Sequence, residues 1–131
     1  MNDVTSRFCF LIFLFFFVGC SPANLKDLRC EGEAEMKKLT AELKKIESKE
    51  DVQKASKKLK KRFNRIADLL IETRKFSSPN DESIEPVPAG EELFAELARI
   101  YEIPGARAAI ETAQSEAVHR LDRSKTASKR F

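Results

Sequence analysis

Apolar residues recur along this chain in two different rhythms. From Phe8 to Val18 eleven residues run without a polar interruption, whereas from Leu25 onward the apolar positions fall three or four apart. Leu25, Leu28, Met36, Leu39, Leu43 and Ile46 keep that spacing, broken only around Gly32, and it predicts an amphipathic helix. Asn24 stands at its start as an N-cap with Asp27 three places on, and Glu31, Glu33 and Glu35 populate its first half while Lys37, Lys38, Lys44 and Lys45 populate its second, the order a helix dipole favours.

Ser48-Lys49-Glu50-Asp51 has the form of a capping box, with Asp in the place of Glu, and marks a new helix start. Val52, Ala55, Leu59, Phe63, Ile66 and Leu70 then repeat the three-four spacing, and Leu69, Ile71 and Phe76 widen the apolar face. A turn near Glu47 and Ser48 lets the two stripes lie antiparallel, a helical hairpin over residues 25–76. Neither Gly nor Pro stands at that point, so one continuous helix through Ser48 is the alternative reading. Residues 77–90 carry Pro79, Pro86 and Pro88 and read as a linker.

Beyond the linker, Glu91 to Tyr101 is expected as a helix with Leu93, Phe94, Leu97, Ala98 and Tyr101 on one side. Ile103-Pro104-Gly105 ends it, with Pro104 expected in the first turn of a last helix. That helix carries Ala109, Ile110, Ala113, Ala117 and Leu121, giving a helical pair over 91–123, and 124–131 is expected to fray as a basic tail. The fold class expected is all-α, a hairpin plus a shorter helical pair joined by the Pro-rich linker.

Composition narrows this picture in two ways. Six of the ten phenylalanines fall before residue 18, and beyond the leader the aromatics are only Phe63, Phe76, Phe94, Tyr101 and Phe131, so a β-rich core lacks its usual materials. The net charge of +3 hides segregation: from Lys49 to Lys75 ten Lys or Arg stand against four acids, and from Ser77 to Ala117 nine acids stand against two arginines. Such blocks meet partners of opposite sign or each other.

The first rhythm has its own meaning. Eleven residues make a helix of roughly 16 Å against a hydrocarbon core of about 30 Å, too short to span. A short polar start with Arg7, the apolar run and then small residues fit a secretory signal. The run closes on Phe17-Val18-Gly19-Cys20, which resembles the lipobox of bacterial lipoprotein precursors. The resemblance implies a diacylglycerol on the Cys20 thiol, cleavage between Gly19 and Cys20 by signal peptidase II, and acylation of the new amino group. Phe17 departs from the pattern, in which an aliphatic residue is commonest. Ser21 after the cysteine resembles the outer-membrane sorting pattern of some Gram-negative bacteria. A lipid-anchored place in the cell envelope, outer membrane favoured over inner, is what the resemblance implies.

Candidate chemistry in the remainder is thin. His119 is the single histidine, and Glu111, Glu116 and His119 share one side of a predicted helix, a weak ligand set with no second His or Cys. Catalysis, a metal and a cofactor are therefore not expected. Removal of the leader takes Cys9, and lipidation consumes Cys20, which leaves Cys30 as a free thiol, suited to an intermolecular disulfide between two anchored copies or else to a semi-buried, inert place in the helix. The strongest charge feature is Lys54, Lys57, Lys58, Lys60, Lys61, Arg62 and Arg65. Such a run suggests nucleic acid, but export argues against that partner and turns the expectation to anionic lipid or envelope polymers. The bland alternative is solvation plus pairing with the acidic segment Asp81 to Glu116. The function expected is a non-enzymatic envelope lipoprotein with a structural or partner-binding role, or else an envelope protein that captures an anionic ligand on this helix.

Overall fold

The computed structural model describes residues 24–76 and 87–129. Within them the chain is all-α, with α1 at Leu25–Leu43, α2 at Lys49–Phe76, α3 at Pro88–Tyr101 and α4 at Ala106–Ser128. The leader, Gly19, Cys20 and most of the linker lie outside the described residues.

Local chemistry explains most of the helix ends. Asn24 is extended, and its Oδ1 accepts the Asp27 backbone N–H at 3.0 Å, satisfying one of the free donors at the start of α1. At Ser48 the capping box closes in both directions: Asp51 N–H donates to Ser48 Oγ at 3.2 Å, and Ser48 N–H donates to Asp51 Oδ2 at 3.1 Å. A second donor, the Glu47 N–H, reaches the same carboxylate at 3.0 Å. These backbone donors, Glu47 first, with the Ser48 side chain, hold the Asp51 carboxyl below its ordinary pKa.

The two remaining starts differ from the sequence expectation. α3 begins at Pro88 rather than Glu91, because Val87 is extended and Pro88 occupies the first turn, where its missing N–H costs nothing. Pro104 sits instead in the turn before α4, which opens from Gly105 at φ 77. A side chain at Gly105 is disfavoured twice, by that left-handed backbone and by Lys49 Cδ, which would lie 2.9 Å from its Cβ. At the far end α4 stays helical to Ser128, past the point where fraying was expected.

Contacts between side chains set the directions of packing. Lys58 meets Glu42, Arg62 meets Glu35 and Arg65 meets Glu31, so α1 and α2 are antiparallel. Lys60 meets Glu116, Asp68 meets Arg120 and Arg74 meets Ser124, so α4 runs parallel to α2. Gly90 lies beside Met36, and Arg99 reaches Leu43 and Ile46, so α3 runs parallel to α1. The interfaces close a ring in the order α1, α2, α4, α3, the largest being between α2 and α4. This is an up-down-up-down bundle in which the successive helices α2 and α3 stand diagonally.

Its core is one cluster fed by all four helices. Leu39, Leu43, Ile46, Val52, Leu59, Ile100, Ala106 and Ile110 are buried in it, with Phe63, Ala67, Ala113 and Ala117 continuing it along α2 and α4. The small residues on α4 let its backbone come close to α2. Because α3 starts level with the middle of α1, the eleven residues from Leu25 to Glu35, roughly 16 Å of helix, extend past the level of Gly90. Leu28 and Leu69 are buried in that extension, outside the main cluster.

Candidate functional site

The basic run lies on the outward side of α2, between α1 and α4. A helix with charged residues at nearly every position outside its apolar stripe must present them to both flanks, and here the flanks answer with carboxylates. Lys58 Nζ is 2.7 Å from Glu42, Lys60 Nζ is 2.7 Å from Glu116, and Arg62 Nη1 is 2.8 Å from Glu35. Arg65 pairs with Glu31. Three of these four acids come from α1 and one from α4, so the intramolecular partner of the basic block is mainly the first helix. The acidic segment Asp81 to Glu116 contributes only Glu116 among the described residues.

Glu35 is the most constrained of the four. It is 7% exposed, and it accepts from Lys38 at 2.9 Å as well as from Arg62. Burial alone pushes its carboxyl up, but the hydrogen bonds and charges of Lys38 and Arg62 together outweigh burial and leave its pKa below the ordinary value. Glu42 is lowered chiefly by the Lys58 hydrogen bond, against some desolvation, and Glu116 chiefly by Lys60. The Asn64 side chain also supports Glu116, while its own Oδ1 is buried without a hydrogen-bond partner.

Lys54, Lys57 and Lys61 are different. They are exposed and form no ion pair among the described residues. At spacings of three and four they follow one stripe down the helix. Lys57 and Lys61 line an open depression of 610 Å³ together with Lys60, Asn64 and Arg65, and with Glu35 and Glu116 from its two flanks. The surface can hold an anion by charge alone. It lacks the enclosure that removes water and fixes a reacting group.

The other candidates are placed as follows. His119 is exposed, Glu111 pairs with Arg107 at 2.9 Å, and Glu116 is taken by Lys60. No group of three His, Cys, Asp or Glu able to hold a metal ion occurs among the described residues. Cys30 is a free thiol, exposed near the start of α1. Gly19 and Cys20 lie outside the described residues.

One polar contact had no counterpart in the sequence reading. Arg99 of α3 donates to Leu43 O at 2.8 Å and to Ile46 O at 2.9 Å, while Glu96 holds its Nε at 2.8 Å. The α1 terminus has no glycine cap, and its last carbonyl, Leu43 O, together with Ile46 O in the turn beyond it accepts from a guanidinium of the other helical pair. The only sequence signal was an arginine three residues after a glutamate in a mainly acidic segment.

Comparison with known proteins adds no relative: no family model, no curated protein and no solved structure matches this chain.

Proposed function

We propose that this chain is a lipid-anchored helical module of a bacterial cell envelope, with a structural or partner-binding role and no catalysis of its own. The observation that carries the proposal is Phe17-Val18-Gly19-Cys20 at the end of an apolar run too short to span a bilayer. The described fold is compatible with a short tether, since α1 is capped at Asn24, four residues after Cys20. No described helix is long and apolar enough to cross a membrane. In this reading the acyl chains hold the bundle, each buried CH₂ contributing about 0.8 kcal/mol. The test is fractionation of cells making the Cys20→Ser precursor. The protein should leave the membrane fraction, and its retention there would overturn the reading.

A second reading, capture of an anionic envelope ligand on α2, is favoured by Lys54, Lys57 and Lys61, which form no ion pair among the described residues. Binding of a polyphosphate probe should weaken with added salt and fall further in Lys57→Gln/Lys61→Gln. Equal binding by that variant and the parent chain excludes the stripe as the site.

A further inference from the structure

The two ends of the bundle differ in surface chemistry, and the difference bears on how an anchored copy would sit. One end holds the turns, Leu43 to Asp51 and Tyr101 to Arg107, where four Lys or Arg balance four acids. The opposite end is built from the start of α1 and the last turns of α2 and α4. From Asn24 to Arg29, Leu70 to Phe76 and Leu121 to Lys129, seven Lys or Arg stand against three acids. This tally leaves out Asp81, Glu82 and Glu85 of the linker, which lie outside the described residues. Of the three acids, Glu72 is paired within the helix to Lys75.

Apolar surface follows the same division. Phe76, the last residue of α2, is 52% exposed, and Leu70, less than two turns earlier, is 39% exposed. Both stand at the end where α3 is absent. A half-exposed aromatic at a helix terminus, with Arg74 and Lys75 beside it, is the arrangement of an interfacial anchor: the ring enters the headgroup boundary while the cations meet lipid phosphates.

Tether length brings this end to the bilayer. Cys20 is four residues from Asn24, and four residues of extended chain span at most roughly 14 Å. The start of α1 therefore cannot stand farther than that from an anchor at Cys20, whereas the turn end is separated from it by the length of the bundle.

We propose that the end of the bundle formed by the start of α1 and the last turns of α2 and α4 docks on an anionic lipid surface, with Phe76 at the headgroup boundary. The proposal rests on the reading of Cys20 as the anchor. It gives the module a fixed orientation, with α2 upright and the turn end, with its Arg99 contact, directed away from the membrane.

The chain contains no tryptophan, so a single Phe→Trp substitution makes a unique reporter. Phe76→Trp and Phe94→Trp, the latter at a position 73% exposed on α3, are each introduced into the full-length protein. The membrane-extracted lipidated forms are then reconstituted into vesicles of phosphatidylcholine and phosphatidylglycerol. Flotation reports the anchor, and quenching by brominated lipids reports contact of the indole ring with the bilayer. Docking predicts that both variants float. It also predicts that the emission of Phe76→Trp shifts to the blue and loses most of its intensity to brominated lipid, whereas Phe94→Trp stays open to aqueous quencher. Replacing Arg123 and Lys125 with Gln in the Phe76→Trp background should weaken quenching by brominated lipid, each lost cation costing roughly fivefold in contact, with flotation unchanged. Equal aqueous exposure of the two reporters on floating vesicles refutes the docking and leaves the anchor standing. Failure to float overturns the anchor and the docking with it.

Discussion

The turn half of the bundle and the half built from the start of α1 and the ends of α2 and α4 are held by different forces. Around the turns, residues from all four helices meet in one cluster, and Leu39, Leu43, Val52, Leu59, Ile100, Ala106 and Ile110 are each 0% exposed. In the other half three helices remain, α1 and α4 each packing against α2; Leu28 and Leu69 are buried there, and the remaining ties are polar: Glu31 with Arg65, Asp68 with Arg120, and Arg74 with Ser124 at 2.9 Å. Burial of apolar area contributes about 25 cal/mol per Å², while exposed ion pairs contribute little. One half therefore sets the fold, and the other is free to carry surface chemistry.

The contrast breaks first at the core. Leu59→Ala should cost about 3 kcal/mol, the ordinary range for a large-to-small change at a fully buried site, whereas Arg65→Ala should cost under about 1 kcal/mol. Denaturant unfolding followed by circular dichroism checks both, and equal losses would erase the distinction between the halves. Next in size is Arg99→Ala, which leaves Leu43 O and Ile46 O without their guanidinium donors. A loss of about 2 kcal/mol is expected, and Arg99→Lys should recover only part of it because one ammonium cannot reproduce the two-pronged grip.

The smallest effect is on acid stability. Glu35, Glu42, Glu116 and Asp51 all have folded pKa values lowered below their unfolded ones. Their stabilisation is complete above the unfolded carboxylate values near 4 and is lost as pH falls through the lower, folded values. The unfolding midpoint should therefore hold steady from about pH 7 down to about pH 5 and drop below about pH 4. Glu35→Gln should flatten part of that drop, and an unchanged profile in this variant would remove Glu35 as a contributor.

Local signals were the part of this fold that could be read in advance. The three-four spacing from Leu25 and from Val52 is helical because each stripe must bury one side, and all-α structure follows. Asn24 and the Ser48–Asp51 box act through neighbours three residues away, so the sequence contains the whole interaction. The choice between Pro88 and Pro104 as a first-turn proline was less accessible. It depends on Gly105, whose left-handed conformation opens α4 and leaves Pro104 in the turn. Long-range partners were hidden for a simpler reason. Charge blocks suggested that α2 would pair with the acidic segment after the linker, but the antiparallel hairpin placed Glu31, Glu35 and Glu42 closer. Which cations remain outside ion pairs is decided by the order α1, α2, α4, α3 around the ring, and no spacing within one helix encodes that order.

The candidate surface and the proposed anchor differ in the same way. Lys54, Lys57 and Lys61 emerge as the members of the basic run outside ion pairs only once Lys58, Lys60, Arg62 and Arg65 are placed against their acids. Cys20 rests on a contiguous run of residues and needs no tertiary structure to be read. The direct measurement is therefore the intact mass of the membrane-extracted protein and of its N-terminal peptide. A peptide beginning at Cys20 and carrying a diacylglyceryl or triacyl mass is the predicted result. An unmodified N-terminus or a retained leader would contradict the anchor, and would return the basic face of α2 to consideration as a surface for nucleic acid or a cytoplasmic partner.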